Sequence, residues 1–235
     1  MNYKLKEHST AFIVFLLIIL ILSIITATWI GAVNIPIIKV VKIILSKFPL
    51  MDNFIPEYSG PDSTIILLIR LPRVLLGAIA GMCLAVSGTS MQGVFKNPMA
   101  SPFILGVSSG GALGAAIGYY FGIGIYLLPL IAFLFAILTV LIVFSLGRVR
   151  GKTNISTLLL SGLAMNFFMS ALYSYVLFMS PPEKRVNILT FTWGSLNGTI
   201  WEEVIVSFIL LIIGFIAVFA YSRNLNVIQM GEESA

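Results

Sequence analysis

The sequence contains few of the residues that carry chemistry in proteins. Among its 235 residues there are one cysteine and one histidine, and only 10% of the residues are charged. Cys83 cannot form an internal disulfide, and it lies in an apolar run, where a lone thiol usually packs against its neighbours. His8 lies in the N-terminal tail, so the sequence argues against a histidine metal site or a histidine proton relay in the rest of the chain.

The shortage of charge also excludes an ordinary water-soluble domain, which carries about 25% charged residues. Here 59% of the residues are hydrophobic and the mean hydropathy is +1.05. Because there are too few charged residues to cover the surface of a soluble domain, we expect the protein to reside in the lipid bilayer. The net charge of +5 comes from basic residues in short loops between apolar runs, which membrane topology explains better than nucleic-acid binding. We therefore predict an all-α, polytopic transmembrane helical bundle.

Six apolar runs are long enough to cross the bilayer, because a helix needs about 20 residues to span about 30 Å of hydrocarbon. The first run is longer than the core of a signal peptide, about 7–15 residues, and we interpret it as an uncleaved helix. The segment 32–69, which contains "IPIIKVVKIILSKF", predicts an outer amphipathic helix followed by a loop. The predicted spans cover residues 11–31, 74–92, 103–122, 125–146, 155–179 and 204–221.

The predicted spans contain no Lys, Arg, Asp, Glu or His. Ion-coupled carriers and intramembrane metalloenzymes need such groups inside the membrane, and a serine enzyme needs a base. We therefore expect no catalytic residue, no metal site and no cofactor. The glycine-rich run "GVSSGGALGAAIG" (106–118) lacks the Gly-Lys-Ser/Thr ending of a phosphate loop, so ATP, if it is used, must bind to another subunit.

The distribution of basic residues gives a weak signal for orientation. Six spans place both termini on one side, and seven Lys and Arg residues fall on each side of the membrane. The compact basic loop "GRVRGK" (147–152) is of the kind that counts most, and the three tryptophans would then lie near the outer boundary as belt residues. We predict that the N-terminus lies inside.

Small residues and prolines predict helix packing and a tight turn. Glycines recur every fourth residue from 106 to 118, on one face of a helix, where they let another helix approach closely. In "NPMASP" (97–102) the asparagine can bond nearby backbone and the prolines disfavour helix, which predicts a re-entrant turn. The residues predicted to serve these structural roles are Asn97, Pro98, Pro102, Gly106, Gly110 and Gly114.

Residues 70–115 closely resemble the membrane subunits of ABC importers for iron–siderophores, haem and vitamin B12, the FecCD-type permeases. They contain "RLPR", a small-residue helix, "QG", "NPMASP" and "LGVSSG" in the order of the family pattern, with Met99 in place of the usual Leu. "LLLSGLAMN" (158–166), "FTWGSLNGTIWEE" (191–203) and "LNVIQMGEESA" (225–235) resemble later family segments. The resemblance implies one permease domain over 1–235, comprising six of ten family helices. The chain would then stop inside the cytoplasmic coupling loop (223–235), either as a fragment or as a short gene product.

The resemblance also implies a function and a set of partners. The chain would be a non-enzymatic permease in the bacterial cytoplasmic (inner) membrane that passes an iron–siderophore, haem or cobalamin-type chelate. Its expected partners are a cytoplasmic ATP-binding subunit that hydrolyses ATP, an extracytoplasmic substrate-binding protein, a second permease copy (in a homodimer or related heterodimer) and lipid, with no nucleic acid. The alternatives are a non-transporting membrane scaffold and an ATP-independent channel or facilitator.

Arg70 and Arg73 match the family arginines that dock the substrate-binding protein. Arginine keeps its charge and grips a carboxylate with two bonds, which suits contact with acidic residues of a partner. The alternative is that both side chains snorkel to the lipid headgroups.

Two further sites rest on the same resemblance. Gly231, Glu232 and Glu233 match the segment that opens the contact with the ATPase, although a polar tail or a helix start favoured by the dipole would look similar. Ser161 and Asn166 match positions that line the translocation pathway, and the alternative for such polar groups is hydrogen bonding between helices.

Overall fold

The computed structural model describes residues 3–47, 60–124, 126–149 and 152–230. The chain divides into two compact units. Unit 1 comprises Met1–Cys83 and Leu196–Phe215, and unit 2 comprises Leu84–Ser195 and Ile216–Ala235. We describe each unit by itself.

The described residues are almost entirely helical. Besides α-helices they form a π-helical segment, Ile65–Arg70, a 3-10 turn, Pro102–Leu105, and a two-stranded hairpin of β1 (Arg148–Val149) and β2 (Lys152–Thr153). The α-helices are α1 (Tyr3–Trp29), α2 (Ile37–Leu45), α3 (Pro61–Thr64), α4 (Leu71–Phe95), α5 (Val107–Tyr120), α6 (Leu128–Leu146), α7 (Ile155–Met179), α8 (Pro182–Trp193), α9 (Trp201–Ala220) and α10 (Ser222–Met230).

The predicted all-helical membrane fold is confirmed. Helical stretches long and apolar enough to cross a membrane coincide with five of the six predicted spans. The apolar side chains of residues 12–22 in α1 are exposed, as expected for a helix whose surroundings are lipid rather than protein. The five stretches are Thr10–Trp29, Pro61–Phe95, Leu128–Leu146, Ile155–Met179 and Trp201–Ala220.

The remaining predicted span, 103–122, is not one continuous α-helix. Its first residues form the 3-10 turn Pro102–Leu105, and Gly106 then adopts a left-handed conformation (φ 75°) before α5 begins. The 14 residues of α5 extend about 21 Å. The four residues of the turn add about 8 Å. Turn and helix together therefore approach the thickness of the hydrocarbon core.

The outer segment that the sequence predicts over 32–69 becomes helical earlier than expected. A helix starts at Pro61 and continues without interruption into α4. Proline suits the first helical position, and Asp62 in the first turn complements the helix dipole. The predicted amphipathic helix is α2, whose Lys39 forms an ion pair with Asp62. Its apolar face packs against Ile66 of the π segment.

In unit 2, small residues of α5 face α6. A Cβ at Gly110 would collide with the side chain of Thr139, which is fully buried. A Cβ at Gly114 would lie 2.8 Å from the Cβ of Phe135. Side chains of α5, α6 and α7, with those of the preceding turn, form the core of this unit. The absence of side chains on one face of α5 is thus what lets the two backbones approach.

The turn between α4 and α5 is held by its own backbone. Lys96 adopts a left-handed conformation (φ 51°), and the amide of Asn97 donates to Gln92 O at 3.3 Å, which closes the end of α4. The side chain of Asn97 accepts from the amide of Met99 at 2.9 Å. Pro102 then opens the 3-10 turn. The predicted coupling residues Gly231, Glu232 and Glu233 lie outside the described residues, and α10 occupies part of the predicted tail.

Candidate functional site

Arg70 is buried at the end of α1 in unit 1. Its side chain is 8% exposed, and it donates hydrogen bonds to three main-chain carbonyls. Nη1 donates to Trp29 O at 2.7 Å and to Thr28 O at 3.3 Å, and Nη2 donates to Val33 O at 2.6 Å. These carbonyls lie at and just beyond the end of α1, where the last helical carbonyls have no amide partner within the helix. A cation is also favourable at this pole of the helix dipole.

Glycine at position 31 makes room for this contact. A Cβ at Gly31 would lie 2.5 Å from both Cζ and Nη2 of Arg70, which is closer than non-bonded atoms approach. The planar guanidinium therefore lies directly over the backbone of residue 31. Any larger residue would displace the arginine from the carbonyls that it bonds.

Arg73 lies one helical turn after Arg70 and is half-buried. Its Nε donates to Leu196 O at 3.2 Å. Within the described part of the chain, its terminal nitrogens have no hydrogen-bond partner, and they can still bind a carboxylate in the two-bond geometry that arginine favours. An open groove of about 310 Å³ beside it is lined by both arginines and by apolar residues from the end of α1 and the π segment.

Asn166 joins α7 to the 3-10 turn in unit 2. Its Nδ2 donates to Phe103 O at 3.0 Å and to Ile104 O at 3.4 Å, and its Oδ1 accepts from Ser109 Oγ at 2.8 Å. The amide therefore provides a donor for Ile104 O and a second donor for Phe103 O, which also accepts from the Gly106 amide at 3.2 Å. An unpaired carbonyl at membrane depth is costly, so this arrangement supports the break between the 3-10 turn and α5.

The same face of α7 carries Gly162, one turn before Asn166. A Cβ at Gly162 would collide with the carbonyl oxygen of Ile104. Ser161 is half-buried beside it. The structure thus places Asn166 in a hydrogen-bond network between helices, which is the alternative that the sequence left open.

Two basic residues that the sequence analysis did not single out close helix ends in unit 2. Lys184 Nζ donates to Tyr120 O, the last residue of α5, at 2.6 Å. Arg185 Nη2 donates to Ser180 O at 2.9 Å and to Phe178 O at 3.1 Å, at the end of α7. The sequence held a signal for Arg185, because a cation shortly after a helix commonly bonds its last carbonyls. No sequence feature near Lys184 predicts its hydrogen bond to the end of α5.

The described residues contain no group of three or more His, Cys, Asp or Glu side chains that could hold a metal ion. Among them, each buried side-chain nitrogen and oxygen has a hydrogen-bond partner. The polar groups described above therefore stabilise helix ends and breaks. Arg73 keeps both of its terminal nitrogens available to a partner and lies beside the open groove.

Comparison with known proteins places the chain among membrane permeases. The FecCD transport family profile matches residues 16–235. The cobalamin import system permease protein BtuC of Halobacterium salinarum is 37% identical over 183 residues, which is 76% of this chain and 49% of that protein. The hemin transport system permease protein HmuU of Yersinia pestis is 37% identical over 175 residues, or 71% of this chain and 52% of that protein.

A solved structure has the same fold. It is an inward-facing conformation of a metal-chelate type ABC transporter, with a TM-score of 0.79 and 26% sequence identity, and the match covers 96% of this chain and 67% of that one. The chain spans about half the length of the two permeases named above.

Proposed function

Because the chain belongs to the FecCD transport family, we propose that it is a membrane-spanning permease subunit of an ABC importer. The cargo would be a metal chelate of the iron–siderophore, haem or cobalamin type, and a partner subunit would hydrolyse the ATP. The observation that carries the proposal is the fold match to a metal-chelate type ABC transporter over 96% of the chain. The names of the relatives support the class of cargo and leave the individual chelate open.

The proposed mechanism is alternating access in the cytoplasmic membrane, where this multi-pass protein resides. The predicted spans hold no Lys, Arg, Asp, Glu or His that could bind a coupling ion, which favours an energy source in a partner subunit. ATP binding and hydrolysis in the partner subunit would move the coupling segment, and the helices would open toward the opposite side. Cargo affinity would reside in a separate binding protein, and a second permease copy would complete the pathway.

We propose that Arg73 carries the docking of the binding protein. Its terminal nitrogens lie beside an open groove, and a guanidinium can grip a carboxylate of a partner with two hydrogen bonds. Arg70, to which the sequence assigns the same role, is buried, and its guanidinium donates hydrogen bonds to three main-chain carbonyls. Its proposed contribution to docking is indirect, through the placement of the helix that carries Arg73.

The two other site proposals follow the family pattern. Gly231, Glu232 and Glu233 would contact the ATP-binding subunit. Ser161 would line the pathway on α7. Asn166 is the weaker candidate for lining because its amide already bonds Phe103, Ile104 and Ser109.

Co-purification tests the proposed coupling to an ATPase. The affinity-tagged chain, co-expressed with a candidate ATP-binding subunit from the same genome, should retain that subunit in mild detergent. Reversing the charge of Glu232 and Glu233 to Lys should weaken retention. The matched control is the same reversal at Glu202 and Glu203, which are exposed in the first turn of α9 and should leave retention unchanged.

The outcome separates the proposal from its rivals. Retention that responds only to Glu232 and Glu233 supports an ATP-driven permease. Flux through reconstituted vesicles without a bound ATPase would instead favour a channel or facilitator. A retained ATPase without any flux would favour a non-transporting scaffold.

A further inference from the structure

A proline lies inside the long helical stretch of unit 1. Pro72 is the second residue of α4, but the helix is continuous from Pro61 to Phe95, so Pro72 has a full helical turn before it. Its side chain is fully buried. Within a helix, proline removes one amide donor and its ring collides with the carbonyl four residues earlier. The structure must therefore relieve the collision and replace the missing donor.

The π segment Ile65–Arg70 relieves the collision. Its hydrogen bonds join residues five apart, which widens the turn before the proline. At its end the amide of Leu71 donates to Ile66 O rather than to Leu67 O. In the same pattern Leu67 O would accept from residue 72, which is a proline without an N–H. Leu67 O is thus the carbonyl that the proline leaves without a helical donor.

Trp201 supplies the donor. Its indole Nε1 donates to Leu67 O at 2.9 Å across 134 positions of sequence, and the side chain is half-buried. Trp201 is the first residue of α9, and like Leu75 and Leu76 of α4 it packs against the apolar cluster that contains Ile79. We infer that the Trp201 indole replaces the amide that Pro72 lacks and thereby fastens the start of α9 to the π segment.

Residues 196–201 connect the Trp201 hydrogen bond to Arg73. Leu196 O accepts from Thr199 Oγ1 at 2.8 Å and from Arg73 Nε at 3.2 Å. Thr199 is buried, and the Leu196 side chain packs over Gly77, where a Cβ would lie 3.3 Å from it. One end of this short segment is therefore held by Trp201, and the carbonyl near its other end orients the Arg73 guanidinium.

Trp201 is accordingly a positioning residue for Arg73. This role rests on the proposed docking function of Arg73, while the donor replacement itself does not. The donor replacement predicts an energetic coupling between Trp201 and Pro72. The indole N–H of Trp201 stabilises the helix only when residue 72 has no backbone N–H. An alanine at position 72 restores that amide, so it should make the indole N–H redundant.

A double-mutant cycle tests the coupling with the full chain in detergent. The variants are Trp201→Phe, Pro72→Ala and their combination, in a Cys83→Ala background that carries a nitroxide on Ile200→Cys. Ile200 lies in the 196–201 segment and its side chain is 42% exposed. The readouts are the thermal midpoint and the mobility of the nitroxide. Trp193→Phe is the matched control, because Trp193 is 79% exposed.

Trp201→Phe should lower the midpoint by about 2–4 °C and should increase the mobility of the label. In the Pro72→Ala background both effects should fall to half or less, and Trp193→Phe should change neither readout. Equal effects of Trp201→Phe in both backgrounds, or effects no larger than those of Trp193→Phe, would overturn the inference. If Trp201→Phe alone does not fold, folding of the double variant supports the inference and its failure overturns it.

A second measurement covers the case in which Pro72→Ala does not fold. Benzothienylalanine at position 201 keeps the shape of the indole and removes only the N–H. It should mobilise the label at position 200 as Trp201→Phe does, and an unchanged label would overturn the inference. None of these readouts uses a partner or transport. Failure of the cycle therefore leaves the proposed function standing, and a successful cycle without docking at Arg73 contradicts the docking proposal alone.

Discussion

Arg70 Nη1 lies 2.7 Å from the carbonyl oxygen of Trp29, the last residue of α1. A positive charge from a helix 41 positions later thus closes the end of the first membrane helix. The contact satisfies carbonyls that have no helical partner and lies at the pole of the dipole that favours cations. It gives two arginines of one short motif different surroundings, since Arg73 keeps its terminal nitrogens available.

Replacing Arg70 by Gln should destabilise unit 1. The variant loses charge-assisted bonds to three main-chain carbonyls, so the free energy of unfolding should fall by about 2–4 kcal/mol. Arg73→Gln is the same chemical change one turn away, and it should cost less than about 1 kcal/mol. Unfolding of the purified protein by titration with a denaturing detergent measures both. Equal losses in the two variants would show that Arg70 does not hold α1.

Reversing the charge at Arg73 should weaken the docking of the substrate-binding protein. Arg73→Glu places a carboxylate where acidic partner residues are expected, and binding should fall about tenfold or more. Pull-down of the binding protein on membranes, at low and at high salt, measures this, and salt should weaken the wild-type contact. Arg223→Glu is the control, because Arg223 is exposed on α10. This variant should dock the substrate-binding protein as the wild type does. Docking that is insensitive to Arg73→Glu would refute the assignment.

Removing the Asn166 amide should loosen the 3-10 turn. Asn166→Leu removes the side-chain donor to Ile104 O and leaves Phe103 O with only the Gly106 amide, at a cost of about 1–3 kcal/mol. Ser109→Ala removes only the hydroxyl that donates to Asn166 Oδ1 and should cost about 0.5–1.5 kcal/mol. Hydrogen exchange of the amides in 104–106 should accelerate more in Asn166→Leu than in Ser109→Ala. The opposite order would mean that Asn166 does not support the turn.

Labelling from one side of the membrane tests the predicted orientation. Asn187 in α8 and Arg148 in β1 are both exposed, and each can carry the sole cysteine of a Cys83→Ala chain. In right-side-out vesicles an impermeant maleimide should label Asn187→Cys at once and Arg148→Cys only after permeabilisation. The reason is that the compact basic loop 147–152 favours the inner side. The reverse pattern would place the N-terminus outside.

The membrane helices could be predicted because their signal is local. A run of about 20 apolar residues has few alternatives to a bilayer-crossing helix. The third span shows the limit, because Pro102 and Gly106 divide a continuous apolar run into a 3-10 turn and a shorter helix. The loop predicted after the amphipathic helix does not include the start of α3, because Pro61 occupies a first helical position. Proline at a first helical position instead marks a beginning.

The equal count of basic residues on the two sides has a physical explanation in the structure. On the predicted outer side, Arg70, Lys184 and Arg185 each bond the carboxyl-terminal carbonyls of a helix, and Lys39 pairs with Asp62. Such cations stabilise helix ends and need not act as topology signals. For Arg70 and Lys184, counting residues could not distinguish the two uses, because the carbonyls that they bond lie 41 and 64 positions away in the sequence.

The candidate site was predictable in position but not in its division of roles. The resemblance over 70–115 drew attention to Arg70 and Arg73 together, since they share one motif. Their different burial depends on the π segment and on Gly31, and neither is visible in a local pattern. The contact between Trp201 and Leu67 joins residues 134 positions apart. No short-range rule connects a tryptophan at a helix start to a proline so far away.

ATP-driven uptake in proteoliposomes tests the central claim most directly. The chain would be reconstituted with the ATP-binding subunit that co-purifies with it and a candidate binding protein from the same genome, and offered labelled cobalamin, haemin or a ferric siderophore. The account predicts that one of these chelates accumulates inside only when ATP is hydrolysed and the binding protein is present. Accumulation driven by an ion gradient without ATP, or no accumulation of any chelate by an assembled complex, would contradict it.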